Sequence, residues 1–152
     1  MIAVDTNLLV YAHRADSAWH APAAGCVRRL AESGRAWAIP WPCVHEFLAI
    51  ATHPRIYDPP TPLAAALKQV EAWMASPWLE LLAEASGYWE TLSRLARDGR
   101  ASGPRVHDAR VVAICLHHRV DELWTADRDF GRYAGLHVRN PLLAGEEVGE
   151  RA

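Results

Sequence analysis

Two short apolar runs of this chain lead directly into carboxylate side chains. Ile2–Val4 runs into Asp5. Leu123–Trp124 runs into Thr125 and, two residues further on, into Asp127. Each run is apolar enough to form a buried strand, so each acid would stand where a strand leaves its sheet. Because ligand chemistry in open α/β sheets gathers beyond the carboxyl ends of the strands, the pattern predicts one acidic site assembled by the fold.

Two more carboxylates occupy comparable positions. Glu46 lies early in the helix predicted after the second strand, and Asp108 lies at the start of a late helix. Carboxylates packed together repel one another and are costly to desolvate unless a cation joins them. Ligands that are all oxygen favour Mg²⁺, with Mn²⁺ as a plausible substitute, over zinc. Such an ion activates water and neutralises a phosphoryl group, so we expect metal-dependent phosphoryl chemistry. The candidate ligands and catalytic residues are Asp5, Glu46, Asp108 and Asp127.

Each of these acids also has a purely structural explanation. Asp108 is favoured at a helix N-terminus, and Glu46 alone could be a solvated helical residue. Asp127 and Asp129 are common turn formers, and Asp129 fits either explanation. Asp5 is harder to explain structurally, because a carboxylate directly after a buried strand has little structural use. The joint placement of the acids favours the functional interpretation.

The elements that must position these acids alternate between strands and helices. The predicted strands are Ile2–Val4, Ala36–Trp41, Leu79–Ala83, Leu123–Thr125 and Leu136–Val138. The predicted helices are Leu8–His13, Ser17–Glu32, Val44–Ala51, Pro62–Ala75, Ser86–Gly99 and Val106–His118. Ser17 and Thr61 are candidate N-caps for two of these helices. The alternation predicts an α/β fold with a mainly parallel central sheet and helices on both faces.

Composition narrows the class of protein. The chain has 152 residues, of which 51% are hydrophobic and 22% charged, as expected for one soluble domain with its own core. We assign that domain to residues 1–143 and expect the polar residues 144–152 to be frayed. No apolar run approaches the ~20 residues that cross a bilayer, and no signal peptide is evident. A cytoplasmic protein without membrane contact is therefore expected.

The other chemistry-bearing side chains add little by themselves. The three cysteines are too scattered for a disulfide framework or a zinc site and are expected to be buried hydrophobes. The seven tryptophans are expected in core and interface packing. The histidines show no HxxxH spacing, although His45 and His107 each directly precede a proposed catalytic acid. The net charge of −2 excludes an overall basic field, so nucleic acid would have to be bound through local arginines or a bridging cation.

Taken together, these motifs resemble a known family. Val4–Asn7, the mid-chain Glu46, His107–Ala109 and Thr125–Phe130 look like the motifs of the PIN domain. Their order and spacing are especially similar to those of the VapC toxins of type II toxin–antitoxin modules. The ending Gly135–Leu142 is also similar to a common ending of that group. The resemblance covers essentially the whole chain.

The resemblance implies a PIN-like three-layer fold, Mg²⁺-dependent ribonuclease activity, and a homodimer held inactive by a small antitoxin protein. By the same resemblance, Asp5 and Asp108 match the main Mg²⁺ ligands, and Glu46 and Asp127 match the second and fourth acidic positions. The matching supporting residues are Thr6, Asn7 and Thr125, with Asp129 where some members add a further acid. Four arginines near the acidic motifs are candidates for holding the RNA backbone, although surface solubility explains any one of them: Arg14, Arg110, Arg128 and Arg132.

Two other functions stay open at this stage. One is a different metal-dependent phosphoryl enzyme, either a phosphatase or a structure-specific nuclease. Haloacid-type phosphatases want a second aspartate two residues after the first, where this chain has Asn7. The other is a receiver-like Mg²⁺-binding module, which needs a strand-end lysine, whereas Lys68 falls on a predicted helix. The proline-rich loop 54–62 could shape contacts with substrate or antitoxin.

Overall fold

A computed structural model describes residues 1–143 as five strands and six α-helices. The strands are β1 (Ile2–Val4), β2 (Trp37–Pro40), β3 (Leu79–Leu82), β4 (Glu122–Trp124) and β5 (His137–Arg139). They form one sheet in the order β3-β2-β1-β4-β5. Every pairing in this sheet is parallel, which confirms the expected parallel architecture and extends it to all five strands.

The helices connect the strands and cover the sheet in a three-layer α/β arrangement, as predicted. They are α1 (Thr6–His13), α2 (His20–Glu32), α3 (Trp41–Ala51), α4 (Leu63–Met74), α5 (Tyr88–Asp98) and α6 (Arg105–His117). A 3₁₀ turn, Arg128–Arg132, lies between β4 and β5. Helix α1 packs on α2 and α3, and α6 packs on α5 and touches α3.

The core lies around the three central strands. Strand β2 is buried along its whole length, and Val4 and Leu123 of the neighbouring strands have no exposed surface. Helix α6 buries the run 111–115 on every side, as expected for a helix enclosed by other elements. Because β1 is the middle strand, the residue that follows it emerges at the centre of the carboxyl edge. The register pairs Val4 with Trp124, which brings the exits of β1 and β4 side by side.

Two predicted helix caps are wrong. The helix expected from Ser17 begins at His20, and the Ser17 hydroxyl accepts a bond from the Trp19 N–H in the preceding turn (3.1 Å). Thr61 does not cap α4, because its buried hydroxyl contacts His13 Nε2 at 3.1 Å. In both cases the hydroxyl group is hydrogen-bonded to another nearby group and not to the N–H groups of the first helical turn.

The strand and helix boundaries shift elsewhere by a few residues. Trp41, predicted to end the second strand, begins α3. Pro42 fits there because the first helical turn leaves its N–H groups without intrahelical partners. Helix α1 begins at Thr6, so Asp5 itself is the N-cap residue. No loop therefore separates Asp5 from the helix that follows it.

The cysteines and two of the tryptophans lie in the core. Cys26, Cys43 and Cys115 are all buried free thiols, as predicted. Trp37 and Trp73 are buried in the core, whereas Trp89 is 70% exposed, so for Trp89 the expected interface packing stays a prediction. Within residues 1–143 no helix is both long and apolar enough to span a bilayer. The predicted frayed tail, 144–152, lies outside the described residues.

Candidate active site

Asp5 is buried at the exit of the central strand, with only 5% of its surface exposed. Its Oδ2 accepts hydrogen bonds from Thr125 Oγ1 at 2.8 Å and from Asn7 Nδ2 at 3.1 Å. The Cys43 thiol donates to its Oδ1 at 3.5 Å. Burial raises the pKa of Asp5 from 3.8 to about 6, and the negative charge of Glu46 adds to the rise. The ionised form is thus incompletely compensated, and a nearby cation would stabilise it.

Asn7 and Thr125 fasten the exit of β1 to the exit of β4. Asn7 Nδ2 donates to Thr125 Oγ1 at 3.0 Å, and Asn7 Oδ1 accepts from the Ala126 N–H at 3.1 Å. The hydroxyl of Thr125, which is 1% exposed, also accepts from the Asp127 N–H at 3.0 Å. The two side chains therefore hold Asp5 and the backbone that carries Asp127 in one network.

Glu46 joins this network from α3. Thr6 Oγ1 donates to Glu46 Oε2 at 3.0 Å, and Thr6 is itself buried in the first turn of α1. The Glu46 side chain is exposed to solvent. Its charge raises the pKa of both Asp5 and Asp108. The charge of Glu46 therefore acts on both Asp5 and Asp108.

Asp108 enters the site from the first turn of α6 and is partly buried. Burial raises its pKa from 3.8 to about 6, and the charges of Asp127, Glu46 and Asp129 add to the rise. Arg105, one turn earlier on α6, acts in the opposite direction. Asp108 thus lies among carboxylates that make its ionisation costly, as a metal ligand would before the metal binds.

Asp127 faces Asp108 from the loop after β4. Its Oδ1 accepts the Asp129 N–H at 2.8 Å and so caps the 3₁₀ turn. Its charge is the largest electrostatic contribution to the raised pKa of Asp108. The same carboxyl group thus has both a structural role in the turn and a place beside the acidic site.

Asp129 is engaged with arginines at the rim of the site. Its Oδ2 lies 2.9 Å from Arg105 NH1, and its Oδ1 lies 3.9 Å from Arg132 NH2. This ion pair raises the pKa of Arg105, and Asp108 and Asp127 add smaller contributions. Asp129 therefore places an arginine next to two of the candidate metal ligands.

Sequence reasoning missed two residues of the site. Arg105 could have been found from its position three residues before Asp108, which places both on one side of α6. Cys43 gave no signal except that it follows a strand, as Asp5 does. Of the arginines proposed for RNA, Arg14 is bound to Asp16 at 2.6 Å and lies away from this network.

The donor set suits magnesium in its chemistry. All four candidate ligands offer carboxylate oxygen, and two of them have pKa values raised by burial and mutual repulsion, which a dication would relieve. Within residues 1–143 no three Asp, Glu, His or Cys side chains form a ready-made metal cage. Mg²⁺ does not need one, because it commonly keeps several waters and takes one or two carboxylates together with substrate phosphate.

The PIN domain family matches residues 2–136, which include all the acids described above. The chain belongs to the PIN-domain family. It is of the VapC type: it is 35% identical to Ribonuclease VapC43 of Mycobacterium tuberculosis, over 93% of this chain and 96% of that one. The recognition made from the sequence motifs is therefore confirmed.

Solved structures agree on the fold of this PIN domain. The sarcin–ricin loop cleaving toxin VapC20 of Mycobacterium tuberculosis superposes with a TM-score of 0.67 at 18% identity. That alignment covers 92% of this chain and all of the other. VapBC2 of Rickettsia felis, solved bound to a DNA fragment from its promoter, gives a TM-score of 0.64 at 18% identity. It covers 92% of this chain and 98% of that one.

Proposed function

We propose that this PIN-domain protein is a VapC-type toxin, an endoribonuclease that requires Mg²⁺ and is silenced by a small antitoxin. The observation that carries the proposal is the buried Asp5 at the exit of the central strand, facing the same edge as Asp108. Two carboxyl groups with pKa values of about 6 at one sheet edge are a costly arrangement for a structural role alone. The relatives named as VapC ribonucleases supply the reaction class.

Asp5 and Asp108 would hold the ion directly, with Glu46 and Asp127 completing the acidic surroundings. Mn²⁺ is the expected substitute. The bound ion supplies positive charge for the phosphoryl group and lowers the pKa of water. Thr125 and Asn7 keep the Asp5 carboxylate in one orientation through their hydrogen bonds to Oδ2.

The reaction that follows is in-line hydrolysis of an RNA phosphodiester. A water oxygen forms the new bond to phosphorus, and the bond from phosphorus to the 3′-oxygen breaks. The proton of the attacking water passes to a carboxylate, for which Glu46 is best placed because it is exposed and oriented by Thr6. The departing 3′-oxygen takes up a proton from solvent. The expected products therefore carry a 5′-phosphate and a 3′-hydroxyl.

Arg105 would contact the RNA backbone. Its side chain is partly exposed and is anchored by Asp129 beside the acidic residues. A guanidinium in this position offsets the repulsion between an acidic site and a polyanion. Asp129 is accordingly assigned as the residue that positions Arg105, in place of a direct metal ligand.

We infer a cytoplasmic homodimer with an antitoxin bound to it. An apolar face on α4 supports a protein partner, since Leu63, Leu67 and Met74 are 59%, 43% and 50% exposed. The fold likeness to VapBC2 agrees with an antitoxin complex.

The test is digestion of total RNA with mapped ends, in Mg²⁺ and in EDTA, beside the Asp5→Asn variant. We expect discrete cuts with 5′-phosphate ends that need both the metal and Asp5. Growth arrest on expression, relieved by co-expression of a short neighbouring reading frame, tests the toxin assignment. Efficient hydrolysis of a small phosphate ester without RNA cleavage would replace the proposal with a phosphatase. A receiver is disfavoured because it needs a strand-end lysine, whereas Lys68 lies on α4.

A further inference from the structure

A cleft of about 390 Å³ lies between α3 and α6, directly beside the acidic site. Glu46 lines one part of it, so the cleft and the acidic site are continuous. Its volume falls in the range of about 300–1,000 Å³ typical of small-molecule sites. Apart from Glu46, the residues that line the cleft have no part in the mechanism proposed above.

The two histidines that precede catalytic acids both line this cleft. His45 precedes Glu46 on α3, and His107 precedes Asp108 on α6. Consecutive helical residues point about 100° apart, so each imidazole is directed beside its neighbouring acid. Both histidines are exposed. The two His–acid pairs, His45–Glu46 and His107–Asp108, therefore place their acids at the acidic site and their imidazoles along the adjoining cleft.

The rest of the lining is apolar, except for one arginine that is held in place. Arg110 Nε and NH2 donate to Glu84 Oε1 at 2.9 and 2.6 Å, which fixes the plane of the guanidinium. The His45 ring stacks on Trp41, with ring centroids 6.1 Å apart and planes 28° apart. Pro42, Ala49 and Val111 supply the apolar surface. Flat, ordered rings and an apolar floor suit a flat ligand.

A nucleobase fits this chemistry. Unpaired RNA bases are bound in proteins by stacking on aromatic rings, including histidine, and on arginine planes. Such stacking tolerates different bases, because every base presents an aromatic face.

We propose that this cleft binds the unpaired base of a nucleotide flanking the cleaved phosphodiester, between His45 and His107. The inference rests on the proposed ribonuclease function and adds to it the residues that would hold a base beside the cleaved bond. His45, His107 and Arg110 are the residues that would hold the base. Glu46 lies where the base site meets the cleavage site.

The experiment uses a short single-stranded RNA that contains the mapped cleavage site. In a matched series, one base at a time around that site is replaced by an abasic ribose. Values of kcat/KM are measured in Mg²⁺ for the parent, His45→Ala and His107→Ala, and dissociation constants are measured in Ca²⁺ by fluorescence anisotropy. His137→Ala is the control, because that exposed histidine lies on the edge strand β5 and pairs with Glu122. Mn²⁺ binding to each variant reports whether the metal site is intact.

We expect each cleft variant to lower kcat/KM on the intact RNA by about 5- to 150-fold, the range that loss of one base–aromatic stack gives. In the parent, one abasic position should cause a similar loss. At that position the His45→Ala loss should largely disappear, because the base it stacks on is already missing. The two cleft variants should bind Mn²⁺ as tightly as the parent does, and the control variant His137→Ala should have the kcat/KM of the parent.

Other results would contradict the base site, the ribonuclease proposal or both. Equal losses by His45→Ala on every abasic substrate, or no loss at all, would overturn the base site. Unchanged RNA cleavage with weaker antitoxin inhibition would reassign the cleft to the protein partner. Total RNA that yields no cleavage site contradicts the ribonuclease proposal; the abasic series is then made on a single-stranded RNA of mixed sequence and read by anisotropy alone. Base-dependent binding that His45→Ala removes would still support the base site, and no binding would contradict both proposals.

Discussion

Replacing Asp5 by Asn should make the metal-free protein more stable while abolishing cleavage. The buried carboxylate has a pKa of about 6, against an ordinary value of 3.8. Each pKa unit corresponds to about 1.4 kcal/mol, so ionised Asp5 destabilises the fold by an amount of the order of 3 kcal/mol. An asparagine keeps the same shape and carries no charge. Its carbonyl oxygen can accept from Thr125 and Asn7, and its amide can face the sulfur of Cys43.

The pH dependence follows from the sign of the shift. The folded pKa lies above the unfolded one, so the folded protein binds the proton more tightly between pH 3.8 and about 6. The destabilisation is therefore complete above the folded pKa and is relieved as the pH falls through it. The free energy of unfolding of the Asn variant should exceed that of the parent by about 3 kcal/mol at pH 8. At pH 4.5 the difference should be only about 1 kcal/mol.

The assay is urea denaturation in EDTA at both pH values, repeated with Mg²⁺ at pH 8. Mg²⁺ should raise the unfolding free energy of the parent and leave the variant unchanged, because ligand binding stabilises only the state that binds. Glu71→Gln, which neutralises an exposed acid on α4, is the control and should change stability by less than about 0.5 kcal/mol. A variant no more stable than the parent in EDTA at pH 8 would refute the burial argument. Equal stabilisation of both by Mg²⁺ would refute Asp5 as a ligand.

Three further predictions concern the surroundings of Asp5. Asn7→Ala removes hydrogen bonds to Asp5, Thr125 and the Ala126 N–H. It should therefore lower the unfolding free energy by about 1–3 kcal/mol, measured by urea denaturation, and weaken Mn²⁺ binding, measured by titration. Asp129→Asn should leave Mn²⁺ affinity unchanged but raise KM for RNA several-fold, because Arg105 loses its anchor; a lost metal site would instead make Asp129 a ligand. Removal of the metal with EDTA should stop cleavage by the parent, and Mn²⁺ should restore it. Activity that persists in EDTA would contradict the metal-dependent mechanism.

Much of the site can be predicted from the sequence because strand exits are local features. An apolar run followed by an acid marks Asp5 without knowledge of any other element, and the exit of β4 repeats the pattern. In a parallel sheet such positions must meet at one edge. The order of the five strands, by contrast, depends on long-range packing, which no local pattern encodes.

The caps and the arginines show where local reasoning ends. Thr61 has the residue type of an N-cap, but its hydroxyl is held by His13, which is distant in sequence. Arg110 follows the acidic motif closely, yet Glu84 from another segment determines where its guanidinium lies. A side chain with several possible partners takes the one that the tertiary structure brings nearest.

The sequence by itself determined the donor chemistry and the elements that carry it: carboxylates at strand exits and helix starts, in an alternating α/β chain. Only the tertiary structure decided which carboxyl groups feel one another, since the raised pKa values of Asp5 and Asp108 come from burial and from charges on other elements. It also separated Asp129, bound to Arg105, from the acids it follows in sequence. The physical reason is that residue type is a local property, whereas burial, charge coupling and the cleft between α3 and α6 exist only after distant segments pack together.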